Sequence, residues 1–214
     1  MAEPHRSPCI YVLAGTNGAG KSSLAGSAFL ESGVEFFNPD VAALKIQSAN
    51  PGITAAQANS AAWHQGKRLL QRAIAERLSF AFETTLGGET ITRLLEGAFK
   101  IPLEVRMWYV GLLDVDLHIQ RVRSRAARGG HDIPESRIRT RYDSSRLNLI
   151  RLLPRLTELR LFDNSNDADP NAGKTPKPTL LLHFVRGQIE SSCELARTPD
   201  WAKPVMAAAL KLGN

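Results

Sequence analysis

The segment Gly15-Thr16-Asn17-Gly18-Ala19-Gly20-Lys21-Ser22 fills every fixed position of the pattern G-x-x-x-x-G-K-[ST]. Successive backbone N–H groups can surround a phosphate only where side chains do not obstruct the approach, and glycine permits that approach. A helix beginning near Lys21 would turn its unpaired N–H groups and positive dipole end toward the same anion. Lys21 adds a mobile positive charge, and the Ser22 hydroxyl suits Mg²⁺. Gly15, Thr16, Asn17, Gly18, Ala19, Gly20, Lys21, Ser22 and Ser23 are therefore the candidate nucleotide-phosphate site, with Ser22 the candidate metal ligand.

Three further groups of polar residues stand where apolar runs end. In "FFNPD", Asp40 follows a strand-like run and precedes the helical "VAALKI". It could cap that helix, or take a proton from a substrate hydroxyl beside the phosphate loop. In "FAFETTLGG", Glu83, Thr84 and Thr85 close a phenylalanine-rich run. Glu83 there could accept hydrogen bonds from a sugar hydroxyl, hold magnesium through water, or be an ordinary carboxylate before a turn. In "RVRSRAARGGHDIPESRIRTRY", Arg121, Arg125 and Arg128 recur at helical spacing and share a face. Gly129 and Gly130 end that helix, and Asp132 and Pro134 resemble the start of a second, which carries Arg137, Arg139 and Arg141. Such a flap, at about residues 116–150, could close arginines over a transferring phosphoryl group. For any one of these arginines, exposure on a solvated helix face is the simpler reading, since the eleven between Arg121 and Arg160 cannot all reach one pocket.

The elements that must position these residues alternate along the chain. Apolar runs at "CIYVLAG", "VEFFN", "LSFAFETT", "PLEVRMWYVGLL" and "LRLFDNS" are strand-like, and "TLLLHFVRGQI" reads as an edge strand. Longer helical stretches separate them, from "KSSLAGSAFLESG" after the phosphate loop to "PESRIRTRYDSSRLNLIRLLPRL", which Pro154 should break. This alternation predicts an α/β fold with a mainly parallel sheet covered by helices, in the three-layer manner of P-loop NTPases. Ligands in such folds lie beyond the carboxyl ends of the strands, where the polar residues above fall. The segment "NDADPNAGKTPKP" has loop composition. No repeat or linker divides the 214 residues, so one domain is expected.

Composition narrows the function classes. With 43% hydrophobic and 22% charged residues the chain can build a sizeable core. No apolar run is long enough to span a bilayer, and "MAEPHRSPC" lacks the apolar centre of a signal peptide, which points to a cytoplasmic protein without membrane partners. Cys9 and Cys193 lack metal-ligand spacing and read as packing residues. The formal charge of +6 is concentrated in the eleven arginines between Arg121 and Arg160. A nucleic-acid surface is one reading of them, but no stacking motif or recognition helix accompanies the charge. His131 in "GGHD" reads as a turn residue, His64 and His118 suggest nothing specific, and Trp63, Trp108 and Trp201 read as core or interface aromatics.

Taken in order, Gly15 to Ser22, "NPD" with Asp40, "FETT" with Glu83, "RGGHDIP", "RTRY" and "FDNS" at Asp163 resemble the zeta-toxin family of P-loop kinases, most closely its short, predicted ABC-type ATPase branch. The resemblance runs from about residue 9 to 165. It implies a nucleotide-kinase-like fold and ATP-dependent phosphorylation of a hydroxyl, on a UDP-amino sugar in the toxins, with a small antitoxin protein as partner. It assigns Lys21 and Ser22 to ATP and Mg²⁺, Asp40 to the general base, and Glu83 and Thr85 to the sugar nucleotide. The toxins carry an arginine three residues before the helix-starting proline; His131 stands there in this chain, leaving Arg125, Arg128 or Arg139 to supply the charge. Gly87 occupies the place of a second family arginine. Two other classes share the phosphate loop: nucleotide-hydrolysing switch ATPases or GTPases, and basic nucleic-acid-associated proteins. There is no N-K-x-D guanine motif, and "FAFE" is followed by threonines rather than a second acid.

Overall fold

A computed structural model describes residues 7–21, 24, 34, 36–130, 132–166 and 177–213. Its frame is a seven-stranded sheet. In chain order the strands are β1 (Cys9–Ala14), β2 (Phe36–Phe37), β3 (Phe80–Thr84), β4 (Glu104–Gly111), β5 (Glu158–Asp163), β6 (Thr179–Val185) and β7 (Gln188–Ser192), and in space they run β2-β3-β1-β4-β5-β6-β7. The first five are parallel and the last two antiparallel. Among the described residues the helices with defined bounds are α1 (Pro39–Ala49), α2 (Ala55–Glu76), α3 (Glu89–Ala98), α4 (Val115–Ala127), α5 (Glu135–Leu152) and α6 (Lys203–Leu212). This is the mainly parallel α/β sheet that the alternation of runs predicts.

Local chemistry sets the boundaries. A strand that lies centrally in a parallel sheet is buried on both faces, and β1 is accordingly apolar almost throughout. Ile10, Val12, Phe82, Met107, Leu159 and Leu161 share one core with Leu70 of α2, Leu95 of α3, Leu149 and Leu152 of α5, and Val205 and Met206 of α6. Leu13, Ala81, Trp108 and Val110 form a smaller cluster. Thr54 and Gln57 build a capping box at the start of α2: the Thr54 hydroxyl accepts from the Gln57 N–H at 3.2 Å, and Gln57 Oε1 accepts from the Thr54 N–H at 2.8 Å. Pro154 falls in a short 3₁₀ turn directly after α5, as its missing N–H requires.

Several boundaries differ from expectation. The run "TLLLHFVRGQI" is two strands, because Arg186 (φ 47°) and Gly187 (φ 89°) make a two-residue turn with both residues left-handed, the geometry that joins twisted hairpins. Asp132 does not cap α5; Pro134 holds the cap position, and the Asp132 carboxylate accepts the Ile133 N–H instead, at 2.8 Å. Helix α6 is an addition to the sequence-derived elements. Cys9 and Cys193 are free thiols. The predicted helix after the phosphate loop, the segment 167–176 and His131 fall largely or wholly outside the described residues.

The registers fix where the site forms. Ala14 pairs with Thr84 on one side and Tyr109 on the other, and Gly111 pairs with Asp163. The chain therefore leaves β1, β3, β4 and β5 at one edge of the sheet, which gathers Gly15, Thr85, Leu112 and Asn164 there.

Candidate active site

The phosphate loop leaves β1 at Gly15. Gly15, Gly18 and Gly20 have φ of 141°, 84° and 81°, values that side-chain-bearing residues rarely adopt. Close approach reinforces the requirement: a Cβ on Gly18 would lie 2.6 Å from the His118 carbonyl oxygen, and one on Gly15 would collide with the Val110 carbonyl. Lys21 is buried inside the loop, its Nζ donating to the Gly15 carbonyl at 2.7 Å and the Thr16 carbonyl at 3.4 Å, with Glu83 Oε1 at 3.5 Å. An ammonium held by carbonyls and one carboxylate at the mouth of a glycine loop fits a phosphate. Ser22 and Ser23 lie outside the described residues.

Beside Lys21 a cavity of about 770 Å³ opens. Phe37, Pro39 and Asp40 form one wall, and Asn59, Ser60, Trp63 and Gly66 of α2 extend it. The end of β3 and the following loop contribute Phe82, Glu83, Thr84, Thr85, Gly87 and Gly88, and Thr90 and Ile91 of α3 follow. Ile133, Pro134, Ser136, Arg137, Thr140 and Arg141 complete it from α5 and its approach, while Asn17 and Lys21 supply the phosphate-loop side. The predicted residues Asp40, Lys21, Glu83, Thr84 and Thr85 are thus brought together around one space.

Their settings differ. Glu83 is largely buried and engaged at both oxygens, Oε1 by Lys21 and Oε2 by the Asn38 amide at 2.9 Å. Asp40 is exposed in the first turn of α1 and meets Arg125 at 3.8 Å. The cap of α1 is Asn38, whose side-chain oxygen accepts from the Asp40 and Val41 N–H groups at 2.8 and 3.1 Å, with Pro39 at the first helical position. The capping role considered for Asp40 therefore belongs to Asn38.

The loop after β3 is held by α5. Ser145 Oγ donates to the Thr85 carbonyl at 2.7 Å, Asn148 Nδ2 to the Leu86 carbonyl at 2.9 Å, and Ser144 Oγ to the Gly87 carbonyl at 2.9 Å. Leu86 is left-handed (φ 54°) with its side chain fully buried, a conformation that these donors and the core together maintain.

The flap is the pair α4 and α5, packed through Ile119, Val122 and Ile138. Helical spacing does not carry all its arginines to the cavity. Arg125 reaches Asp40. Arg128 is exposed at the end of α4, its Nε donating to the Ser124 carbonyl at 3.1 Å. Arg139 turns to the outer surface, paired with Asp116 at 2.8 Å and Glu135 at 2.7 Å. The cavity instead receives Arg137 and Arg141, one turn apart on α5. Arg141 donates to the Asn17 side-chain oxygen at 2.8 Å, and its carbonyl accepts from the Thr16 hydroxyl at 3.3 Å. Burial, with repulsion from Arg137, moves its guanidinium below the usual arginine range, partly offset by Asp40.

Trp63 is half-exposed on the cavity wall rather than a core aromatic. His118, unremarkable in sequence, is buried against the phosphate loop. Its Nδ1 bonds the Asn17 carbonyl at 2.8 Å, and burial foremost pushes its pKa down to about 4. The sequence holds a signal for Arg137 and Arg141, their i, i+4 spacing, but none for His118, whose partner lies 101 residues away.

The sequence model of the family described as Zeta toxin matches residues 1–166, and the chain belongs to that family. An uncharacterized protein of Haemophilus influenzae (strain Rd) is 31% identical over 129 residues, covering 60% of this chain and 88% of that protein. Among solved structures, the AvrRxo1-ORF1:AvrRxo1-ORF2 complex with sulphate ions contains a chain similar to this one with a TM-score of 0.67 and 16% identity. The match covers 96% of this chain, which spans only 64% of that longer one. The structure of the PezAT chromosomal toxin-antitoxin system of Streptococcus pneumoniae matches with a TM-score of 0.58 and 13% identity, over 98% of this chain and 87% of that one. At these identities the structural likenesses establish the fold. No described helix is long and apolar enough to cross a membrane. Among the described residues no group of three or more His, Cys, Asp or Glu could hold a metal ion.

Proposed function

We propose that this zeta-toxin family member is a kinase that transfers the γ-phosphoryl group of ATP to a hydroxyl of a small molecule bound in the cavity. The observation that carries the reading is the cavity of about 770 Å³ opening directly at Lys21. A hydrolytic switch needs room only for water, whereas a second substrate needs a walled, partly aromatic space beside the phosphate loop. Family membership supports the kinase reading, and the AvrRxo1-ORF1:-ORF2 complex has also been solved with ATP.

The residues divide the work. The backbone of residues 15–21 would hold the triphosphate, Lys21 exchanging loop carbonyls for phosphate oxygens. Mg²⁺, when bound, would neutralise charge on the phosphate oxygens. Ser22 and, through water, Glu83 are the groups of this chain suited to it. Asp40 accepts the proton of the acceptor hydroxyl as its oxygen bonds to the γ-phosphorus and the bond to the β–γ bridging oxygen breaks, leaving ADP. Asp40 suits that role better than Glu83, whose two oxygens are already held by Lys21 and Asn38. Glu83, Thr84 and Thr85 face the acceptor. Arg141 and Arg137 neutralise charge that spreads over the transferring group, and Arg125 orients Asp40. Arg128 and Arg139 stand outside the cavity, and Arg139 ties α5 to α4 through Asp116. A UDP-amino sugar is the first acceptor to test, and a small antitoxin protein the first partner, in keeping with the toxin-antitoxin system named for the PezAT structure.

The test is Asp40→Asn, assayed for transfer from ATP to a panel of UDP-sugars, nucleosides and other hydroxylated metabolites. Transfer should fall by roughly a hundred- to ten-thousand-fold, with ATP affinity near that of the parent. Full transfer by the Asn form would remove Asp40 as the base.

A further inference from the structure

We infer that His118 and Asn164, two side chains outside the phosphate loop, are positioning residues that aim its backbone amides at the bound phosphates. The inference rests on the phosphate-binding role of residues 15–21 and concerns how that loop is held open and correctly turned.

The geometry follows from the peptide plane. In a trans peptide the carbonyl of one residue and the N–H of the next point in opposite directions, so a donor that traps the carbonyl also fixes the direction of the following N–H. His118 Nδ1 bonds the Asn17 carbonyl at 2.8 Å. A carbonyl can only accept, so the ring proton sits on Nδ1 and donates. The N–H opposed to that carbonyl belongs to Gly18. At the far side of the loop, Asn164 Nδ2 donates to the Ala19 carbonyl at 2.9 Å. The N–H opposed to that one belongs to Gly20. Two of the loop's amides are thereby set from behind by side chains of α4 and of the segment after β5.

The glycines and the clamps require one another. A Cβ on Gly18 would meet the main chain of His118, and a Cβ on Gly20 would collide with the Asn164 amide. Both clamps reach the loop because residues 18 and 20 carry no side chain. Both are also buried, His118 at 1% and Asn164 at 1% exposure, so neither competes with water for its carbonyl. The approach is anchored from either flank: the Tyr142 ring stands edge-on to His118 with centroids 5.5 Å apart, and the Asn164 N–H donates to the Gly111 carbonyl at 3.0 Å. Loop amides left unheld would have to be ordered by the ligand, and that cost would appear as lost affinity.

The experiment is calorimetric titration of the full chain with ATP·Mg²⁺ and separately with inorganic pyrophosphate, which engages the loop without a base or ribose. His118→Phe and Asn164→Ser remove one clamp each, His118→Gln restores a donor, and Val205→Ala removes core packing in α6 far from the loop. Each clamp loss should weaken both ligands by about tenfold, the worth of one well-placed hydrogen bond to a charged group. His118→Gln should recover part of that loss, and Val205→Ala should lower the melting temperature while leaving affinity unchanged. If His118→Phe does not fold, Asn164→Ser decides alone. Parent-like pyrophosphate affinity in folded clamp variants, or an equal loss in Val205→Ala, overturns the inference. Failure of the parent to bind either ligand overturns the phosphate-loop reading itself, and this inference with it.

Discussion

Around Lys21 the site is made of main chain, whereas around Asp40 it is made of side chains. On the first side, the glycine loop presents amides while Lys21, His118 and Asn164 hold its carbonyls. On the second, Asp40 of α1, Trp63 of α2, Glu83 and Thr84 of β3 and Arg137 and Arg141 of α5 converge from four separate elements. A backbone site demands particular residues at fixed spacing, because only glycine tolerates the required φ and close approach. A side-chain site demands only that topology bring suitable groups together, which many sequences can satisfy. Under the proposed kinase reading, the first kind would hold the phosphates common to nucleotides and the second would recognise the acceptor.

The sharpest break between the halves should come from Lys21→Ala. It removes the charge inside the loop and leaves Glu83 facing Asn38 alone. ATP affinity should fall by about a hundredfold, as expected for losing charged hydrogen bonds in a buried setting. Calorimetry with ATP and Mg²⁺ checks it, and unchanged affinity together with unchanged transfer would contradict the shared phosphate site.

Arginine substitutions probe the seam between the halves, since Arg141 touches both Asn17 and the cavity while Arg139 touches neither. Arg141→Met should lower turnover by about tenfold or more, with a smaller effect on ATP affinity, if its charge acts chiefly in the transition state. Arg139→Met should change turnover by less than about twofold, as for an exposed ion pair. Steady-state kinetics of the two variants decides; equal losses would mean that the flap acts as a whole rather than through its inner face.

A smaller effect, confined to the backbone half, is thermodynamic. His118 is pushed down to about 4 by burial, assisted by the charges of Lys21 and Arg121. The unfolded chain therefore takes up a proton below about pH 6.5 that the folded chain refuses until near pH 4. This contribution to stability is fully present above pH 6.5 and is lost as pH falls toward 4, amounting to about 2 kcal/mol between pH 7 and pH 5. Denaturant unfolding at the two pH values should show that loss in the parent, and His118→Gln should show less of it. Identical slopes in parent and variant would place the low-pH loss elsewhere.

The smallest effect belongs to the cap at the cavity's rim. Asn38→Ala should cost about 1 kcal/mol of stability, the usual worth of an N-cap, and Asp40→Ala should cost less, about 0.5 kcal/mol for a first-turn carboxylate near the positive end of the helix dipole. Reversed results from thermal unfolding would return the cap to Asp40.

The sequence made the backbone half legible in detail and the side-chain half only in outline. The phosphate loop, the five parallel strands and the flap helices follow from glycine spacing and from runs of period-two or helical type. The choice of Arg137 and Arg141 over Arg128 and Arg139 did not, because periodicity says which residues share a face and not which face turns inward. The cap was legible in principle: Pro39 at the first helical position marks Asn38 as the residue before it. Trp63 and His118 owe their roles to neighbours far away in the chain, and no local pattern distinguishes a cavity-wall tryptophan from a core one. Helix α6 opens with Lys203 and Pro204 and continues as the alanine-rich apolar stretch "VMAAALKL", a readable signal lying beyond the motifs that carry the chemistry.

The measurement that bears most directly on the kinase account is the fate of the γ-phosphoryl group. The protein is incubated with γ-labelled ATP, Mg²⁺ and the hydroxylated-metabolite panel, and the label is followed into organic phosphate esters and into inorganic phosphate. The account predicts that label enters an acceptor in step with ADP formation, and that Asp40→Asn abolishes most of this transfer. Robust ATP hydrolysis with label only in inorganic phosphate, across the panel, would contradict it and identify the chain as a nucleotide-hydrolysing switch.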